Sequence, residues 1–134
     1  MEKMCYDAEY KIGVLGGGQL GKMLIQAAIS YDTKIFCMDN DTEAPCANLA
    51  HGYQLGDINN YEDVLAFGND KDVVTVEIEH VNVEALKTLE KNGVKVFPQP
   101  HILEMIQDKG LQKEFYKKNN IPTADFKIVS DKKA

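Results

Sequence analysis

The stretch Lys11-Ile-Gly-Val-Leu-Gly-Gly-Gly-Gln-Leu-Gly21 restricts this chain to few architectures. Its aliphatic run, Ile12 to Leu15, predicts a short buried strand. A turn with glycines at 16, 17, 18 and 21 follows, and then a helical pattern begins at once. Leu20, Met23, Leu24, Ala27 and Ala28 recur at helical spacing, which predicts that they form the buried face of that helix. Glycines allow positive φ in such a turn and let another group approach the backbone closely. The N–H groups at the helix start, backed by the macrodipole, would suit a phosphate or a carboxylate. The segment is therefore a βα unit with an anion-binding corner, and the glycines alone do not select the anion.

The rest of the chain repeats the alternation. Lys34 to Met38 reads as a second strand running into the acidic turn Asp39-Asn-Asp41, and Ala44 to His51 as a short helix with Pro45 in its first turn. Tyr53 to Leu55 suggests a third strand, Tyr61 to Phe67 a helix, and Val73 to Ile78 a strand buried on both faces. Asn82 to Lys91 reads as a helix stopped by Asn92-Gly93, and Val94 to Phe97 as a fifth strand. From His101 to about Asn119 the pattern is helical, interrupted at Gly110, with Asp108 placed to cap a second helix. This alternation predicts an α/β fold: an open parallel sheet with helices on both faces and strand order 3-2-1-4-5. Ligands of such sheets bind at the carboxyl ends of the strands beside the switch point. That sets the glycine loop next to Glu77-Ile-Glu-His80 at the end of the fourth strand. Asn120 to Val129 opens a further strand without a partner, as expected of a piece of a longer protein.

Composition narrows the function classes. A net charge of −6 argues against a nucleic-acid or anionic-membrane surface. The amino terminus lacks an apolar signal region and no run reaches membrane-spanning length, so a soluble, cytoplasmic chain is expected. Cys5, Cys37 and Cys46 lack CxxC spacing, and Cys37 reads as a reduced core residue. His51, His80 and His101 are scattered without metal-ligand spacing, so no metal site is assigned. No Ser-His-Asp or Cys-His arrangement is legible.

Gly16, Gly18 and Gly21 satisfy GxGxxG in the strand-turn-helix context of a dinucleotide site, and Asp39 stands near the position of its ribose-binding acid. An NAD(P)-binding Rossmann domain of an oxidoreductase or regulatory protein is thus one reading, and glycines that serve only helix–strand packing are another. Gln19 sits at the mouth of the turn. Glu77 and Glu79 end an apolar strand, where they either meet a ligand hydroxyl or amine or form a solvated strand end. Lys109 and Lys113, four apart, are by spacing alone a solvated helix face.

Several segments taken together resemble the N5-carboxyaminoimidazole ribonucleotide synthetase family of the ATP-grasp superfamily. They are Gly16-Gly-Gly-Gln-Leu-Gly-Lys-Met-Leu24, Asp41-x-x-Ala-Pro-Cys-Ala47, Ala50-His51, Glu77-Ile-Glu-His80, Ile106-Gln-Asp-Lys-Gly-Leu-Gln-Lys113 and Ile121-Pro-Thr123. The resemblance runs from about Lys11 to Phe126. It implies an enzyme of purine biosynthesis that uses ATP, Mg²⁺ and bicarbonate to carboxylate the exocyclic amine of 5-aminoimidazole ribonucleotide through carboxyphosphate. It further implies that Gly18, Gln19, Leu20 and Glu77 border the ribonucleotide, with no catalytic residue in this stretch. Lys109 stands where the family commonly carries an ATP-contacting Arg, which keeps the charge without the guanidinium geometry. A homodimer is also implied. The domain division expected from it is an extension over 1–10, a pre-ATP-grasp α/β domain over 11–107, and a linking helix with the start of the ATP-grasp domain over 108–134. The family's lid and large ATP-grasp domain are not in the sequence, so this stretch alone is expected to be inactive.

Overall fold

The computed structural model describes residues 9–129. Five strands alternate with helices: β1 (Lys11–Leu15), α1 (Gln19–Ile29), β2 (Lys34–Asp39), β3 (Gly52–Leu55), α2 (Tyr61–Gly68), β4 (Val73–Val76), α3 (Val83–Lys91), β5 (Lys95–Phe97), α4 (Pro100–Gln107) and α5 (Lys109–Lys118). The strands form one parallel sheet in the order β3-β2-β1-β4-β5, as the alternation predicts. No helix among the described residues is long and apolar enough to cross a membrane.

Local chemistry sets the helix ends. The Asn60 side chain accepts from Glu62 N and Asp63 N at the start of α2, and Asn82 accepts from Ala85 N at the start of α3. Asp108 breaks the helical run after α4 and caps α5 by accepting from Gly110 N and Leu111 N. Each bond satisfies N–H groups that a helix cannot pair internally. Gly93, at φ +92°, turns the chain from α3 toward β5.

The register divides the sheet's two faces. Val14 lies beside Cys37 and Thr75, and Thr75 beside Phe97, whereas Leu15 lies beside Met38 and Val76. Leu15 and Met38 join Val64, Phe67, Leu86 and Leu89 in the larger core, under α2 and α3. Val14 and Cys37 join Ile25, Ala28, Ile35 and Cys46 in a smaller one, under α1.

Three expectations need correction. The buried stripe of α1 is Gly21, Ile25 and Ala28, while Leu20, Met23 and Leu24 are exposed. The helix is out of phase with the expected face because it lies very close to the segment beneath it. A Cβ on Gly21 would sit 2.9 Å from the Cys46 sulfur, so Gly21 fixes the contact stripe, Ile25 and Ala28 fall in line with it, and Leu20, Met23 and Leu24 turn aside. Residues 44–51 form successive turns rather than a helix. Bonds from Ala47 N to Ala44 O and from Leu49 N to Cys46 O are tighter than helical, and Cys46 N is diverted to Gly17 O. Residues 121–129 form no strand, because no neighbour offers them a ladder. Residues 1–8 of the expected extension, and 130–134 at the other end, lie outside the described residues.

Candidate functional site

The candidate site is built on the turn that follows β1. Gly16, at φ +105°, reverses the chain and donates its N–H to Met38 O at 2.9 Å. The next N–H, of Gly17, is taken by the Asp39 carboxylate at 2.6 Å, whose other oxygen accepts from Asp41 N at 3.2 Å. From the 44–46 turn, Cys46 donates its N–H to Gly17 O at 2.9 Å and its thiol to Gly18 O at 3.5 Å. The loop is therefore held from both sides before any ligand arrives.

Glu77 supplies the outer wall. Its N–H extends the β4 ladder to Leu15 O at 2.8 Å, which turns the side chain toward the α1 face. There Oε1 accepts from Leu20 N, at the start of α1, at 3.2 Å. A Cβ on Gly18 would lie 2.6 Å from Oε1, and one on Gly16 would lie 2.9 Å from Oε2. Gly16 is held to glycine by its positive φ, whereas a side chain at Gly18 would have to displace the carboxylate that lies across the turn. Gln107 of α4 fixes the segment beyond Glu77 by donating its amide to Glu79 O at 2.8 Å and to Val81 O at 2.9 Å.

This geometry bears directly on the dinucleotide reading. A bound pyrophosphate requires the loop N–H groups and a positive end of α1. Here Asp39 holds Gly17 N and Glu77 holds Leu20 N, so two negative charges occupy that ground. Asp39, which sequence spacing offers as a ribose-binding acid, instead braces its own loop. What the arrangement presents outward is a half-buried carboxylate able to accept from a hydroxyl or an amine.

The structure brings together Gly18, Gln19, Leu20 and Glu77, with Gln19 and Leu20 exposed on the first turn of α1. Lys109 is not brought to them. It is exposed on α5, which packs on α4, and its ammonium lies 3.4 Å from the Gln112 amide oxygen. The buried thiols of Cys37 and Cys46 are both pushed above the ordinary cysteine value by burial, and Cys37 further by Cys46, Asp39 and Glu77. They are protonated at neutral pH and offer no nucleophile. The bracing roles of Asp39, Cys46 and Gln107 escape sequence reasoning, because each acts on backbone groups far away in the chain.

The family model for the ribonucleotide synthetase preATP-grasp domain matches residues 10–107. The chain belongs to that family. It is 38% identical to the N5-carboxyaminoimidazole ribonucleotide synthetase of Thermotoga maritima, superposing at a TM-score of 0.83 over 91% of this chain and 34% of that one. A structure of the Aspergillus clavatus N5-carboxyaminoimidazole synthase in complex with ADP and 5-aminoimidazole ribonucleotide is 37% identical, with a TM-score of 0.78 over 87% of this chain and 31% of that one. The chloroplastic phosphoribosylaminoimidazole carboxylase of Vigna aconitifolia is 39% identical over 94% of this chain and 23% of its own length. The chain thus spans between about a quarter and a third of these relatives. The shared region includes the preATP-grasp match over residues 10–107, which carries the glycine loop, Asp39 and Glu77.

Proposed function

We propose that this chain is the amino-terminal part of an ATP-dependent ligase that carboxylates 5-aminoimidazole ribonucleotide with bicarbonate, yielding N5-carboxyaminoimidazole ribonucleotide. In this reading the chain forms one wall of the ribonucleotide cleft and is inactive alone. The observation that carries it is the Glu77 carboxylate lying across Gly16 to Leu20, with Oε1 on Leu20 N. That geometry disfavours a pyrophosphate and suits a ligand that brings hydroxyl or amine donors. The Aspergillus clavatus relative holding ADP and 5-aminoimidazole ribonucleotide supports it. Gly18, Gln19 and Leu20 border the ribonucleotide beside Glu77, and Lys109 meets ATP once the rest of the polypeptide closes over α5. Among the described residues no group of three or more His, Cys, Asp or Glu is placed to hold a metal ion, and in this reading Mg²⁺ is bound mainly by the family's lid and ATP-grasp domains.

The reading is tested in the complete polypeptide by varying each substrate in turn. Loss of a charged acceptor costs about 1.5–3 kcal/mol, so Glu77→Gln should raise the KM for the ribonucleotide by roughly 10- to 150-fold and leave that for ATP nearly unchanged. Lys109→Ala should do the reverse. Parent-like behaviour of both variants toward both substrates would overturn the site assignment.

A further inference from the structure

The chain leaves β4 after Val76 and runs over residues 77–82 without regular secondary structure before α3 begins at Val83. This segment is anchored at its ends. Glu77 N is held by Leu15 O at 2.8 Å, Asn82 N reaches Ile58 O at 2.9 Å, and Val81 is buried in the larger core. Between the anchors Ile78 and His80 are exposed, so packing alone does not fix the path of the bend that carries the Glu77 side chain. A side chain from 28 positions beyond Glu79 closes it. The amide nitrogen of Gln107, at the last position of α4, donates to Glu79 O at 2.8 Å and to Val81 O at 2.9 Å. A primary amide has two N–H donors, and both go to this segment. The reverse orientation would set the amide oxygen against two carbonyl oxygens, so only this one is chemically sound. Glu79 O also accepts from Val81 N at 3.0 Å, which tightens the bend.

We propose that Gln107 is a positioning residue for the ribonucleotide: by holding the bend, it keeps the Glu77 carboxylate across the glycine loop. The inference deepens the proposed function and rests on it. Gln107 acts on the ligand only through Glu77. Oε1 of Glu77 meets Leu20 N at 3.2 Å, the long end of an N–H···O bond, so a further shift of about half an ångström would lose it. Glu77 and Leu20 also line, with Val14, Gly21, Leu24 and Val76, a cleft of about 170 Å³ between α1 and the sheet. The same shift would carry the acceptor out of line with that cleft. Lys109 is held separately, on α5, which Asp108 caps through Gly110 N and Leu111 N. Removing the Gln107 amide therefore loosens the ribonucleotide wall and leaves the lysine where it stands.

Steady-state kinetics of the complete polypeptide test it with two variants. Gln107→Ala lets water reach the two carbonyls, and Gln107→Met keeps the side-chain length without its donors. Each should raise the KM for the ribonucleotide by roughly 3- to 12-fold, the scale of one neutral hydrogen bond, with the KM for ATP nearly unchanged. The double variant Glu77→Gln/Gln107→Ala should stay within about twofold of Glu77→Gln alone, since both changes act on one carboxylate. Without ligand, hydrogen exchange at the Leu20 amide should quicken in both Gln107 variants. Equal rises in both KM values, full additivity in the double variant or an unchanged Leu20 amide would overturn the proposal. Parent-like kinetics of both Gln107 variants beside an impaired Glu77→Gln would overturn it too and leave the ribonucleotide reading standing. So would failure of both variants to fold, which would make Gln107 a structural residue only. A parent-like Glu77→Gln would instead overturn the ribonucleotide reading itself, and this inference with it.

Discussion

The two faces of this sheet are made from the same strands and yet differ in how completely they are packed. Under α2 and α3, Leu86, Leu89 and Val64 are fully buried and lock against Leu15, Met38 and Val74. Under α1, the contact is made by Gly21, Ile25 and Ala28, and the helix's larger residues Leu20, Met23 and Leu24 stay in solvent. The closed face carries the stability of the domain. The open face carries the candidate site, since the glycine loop, Glu77 and the cleft beside them all lie on that side. A surface meant to meet a ligand cannot also be filled by its own helix.

The comparison is most easily broken by truncating one leucine on each side. Leu89→Ala should cost about 2–5 kcal/mol of unfolding free energy, through lost burial and the cavity left behind. Leu24→Ala, 42% exposed, should stay within about 0.5 kcal/mol. Denaturant unfolding of both variants checks this, and similar losses would mean that the α1 face is as tightly packed as the other.

Added methyl groups sharpen the contrast with a smaller effect. Gly68→Ala would drive its Cβ into the Leu89 Cδ1 methyl inside the closed core, at about 1–3 kcal/mol. Gly18→Ala meets the Glu77 carboxylate, the mobile end of a half-buried side chain that can swing toward the open surface. It should cost under about 1 kcal/mol, the scale of one lost hydrogen bond. Hydrogen exchange should show the Leu20 amide losing its protection. An unchanged Leu20 amide would mean that Glu77 does not hold it in solution.

The smallest effect is set by pH. Cys37 on the α1 side is fully buried, and burial first, then its neighbours, raises its pKa above the ordinary value of 9.0. The unfolded chain therefore releases this proton at a pH where the folded chain retains it. Stability should be unaffected below about pH 9 and then fall by up to about 1.4 kcal/mol per pH unit as pH rises further. Tyr53, pushed up to about 12 by burial and the nearby acidic residues, adds the same sign only above pH 10. Melts of the parent and of Cys37→Ala at pH 8 to 10 should diverge in slope, and parallel slopes would show that this thiol ionises freely in the folded state.

Much of the fold was legible because its determinants are local. The strand runs, the Asp108 cap and the glycine stop after α3 act within a few residues of themselves, so their patterns stand in the sequence in order. The phase of α1 was not legible, because Ile25 and Leu24 are equally apolar and only the approach of Cys46 to Gly21 chooses between them. The turns at 44–51 carry helix-compatible residues, and Cys46 N is taken by Gly17 O from another part of the chain. In the candidate site the glycine loop and the Glu77 segment could be set side by side from strand order alone. The carboxylate lying across the loop could not, since spacing says nothing of side-chain direction at a strand end.

By itself, then, the sequence determined the alternation of strands and helices, the strand order and the family. These follow from periodicity, caps and motifs, whose physics is short-ranged. Only the tertiary structure decided which carboxylates face the glycine loop, which stripe of α1 is buried and which face of the sheet is packed less completely. Those outcomes depend on contacts between residues as far apart as Leu20 and Glu77, 57 positions along the chain, and such contacts exist only after the sheet has brought the strand ends together.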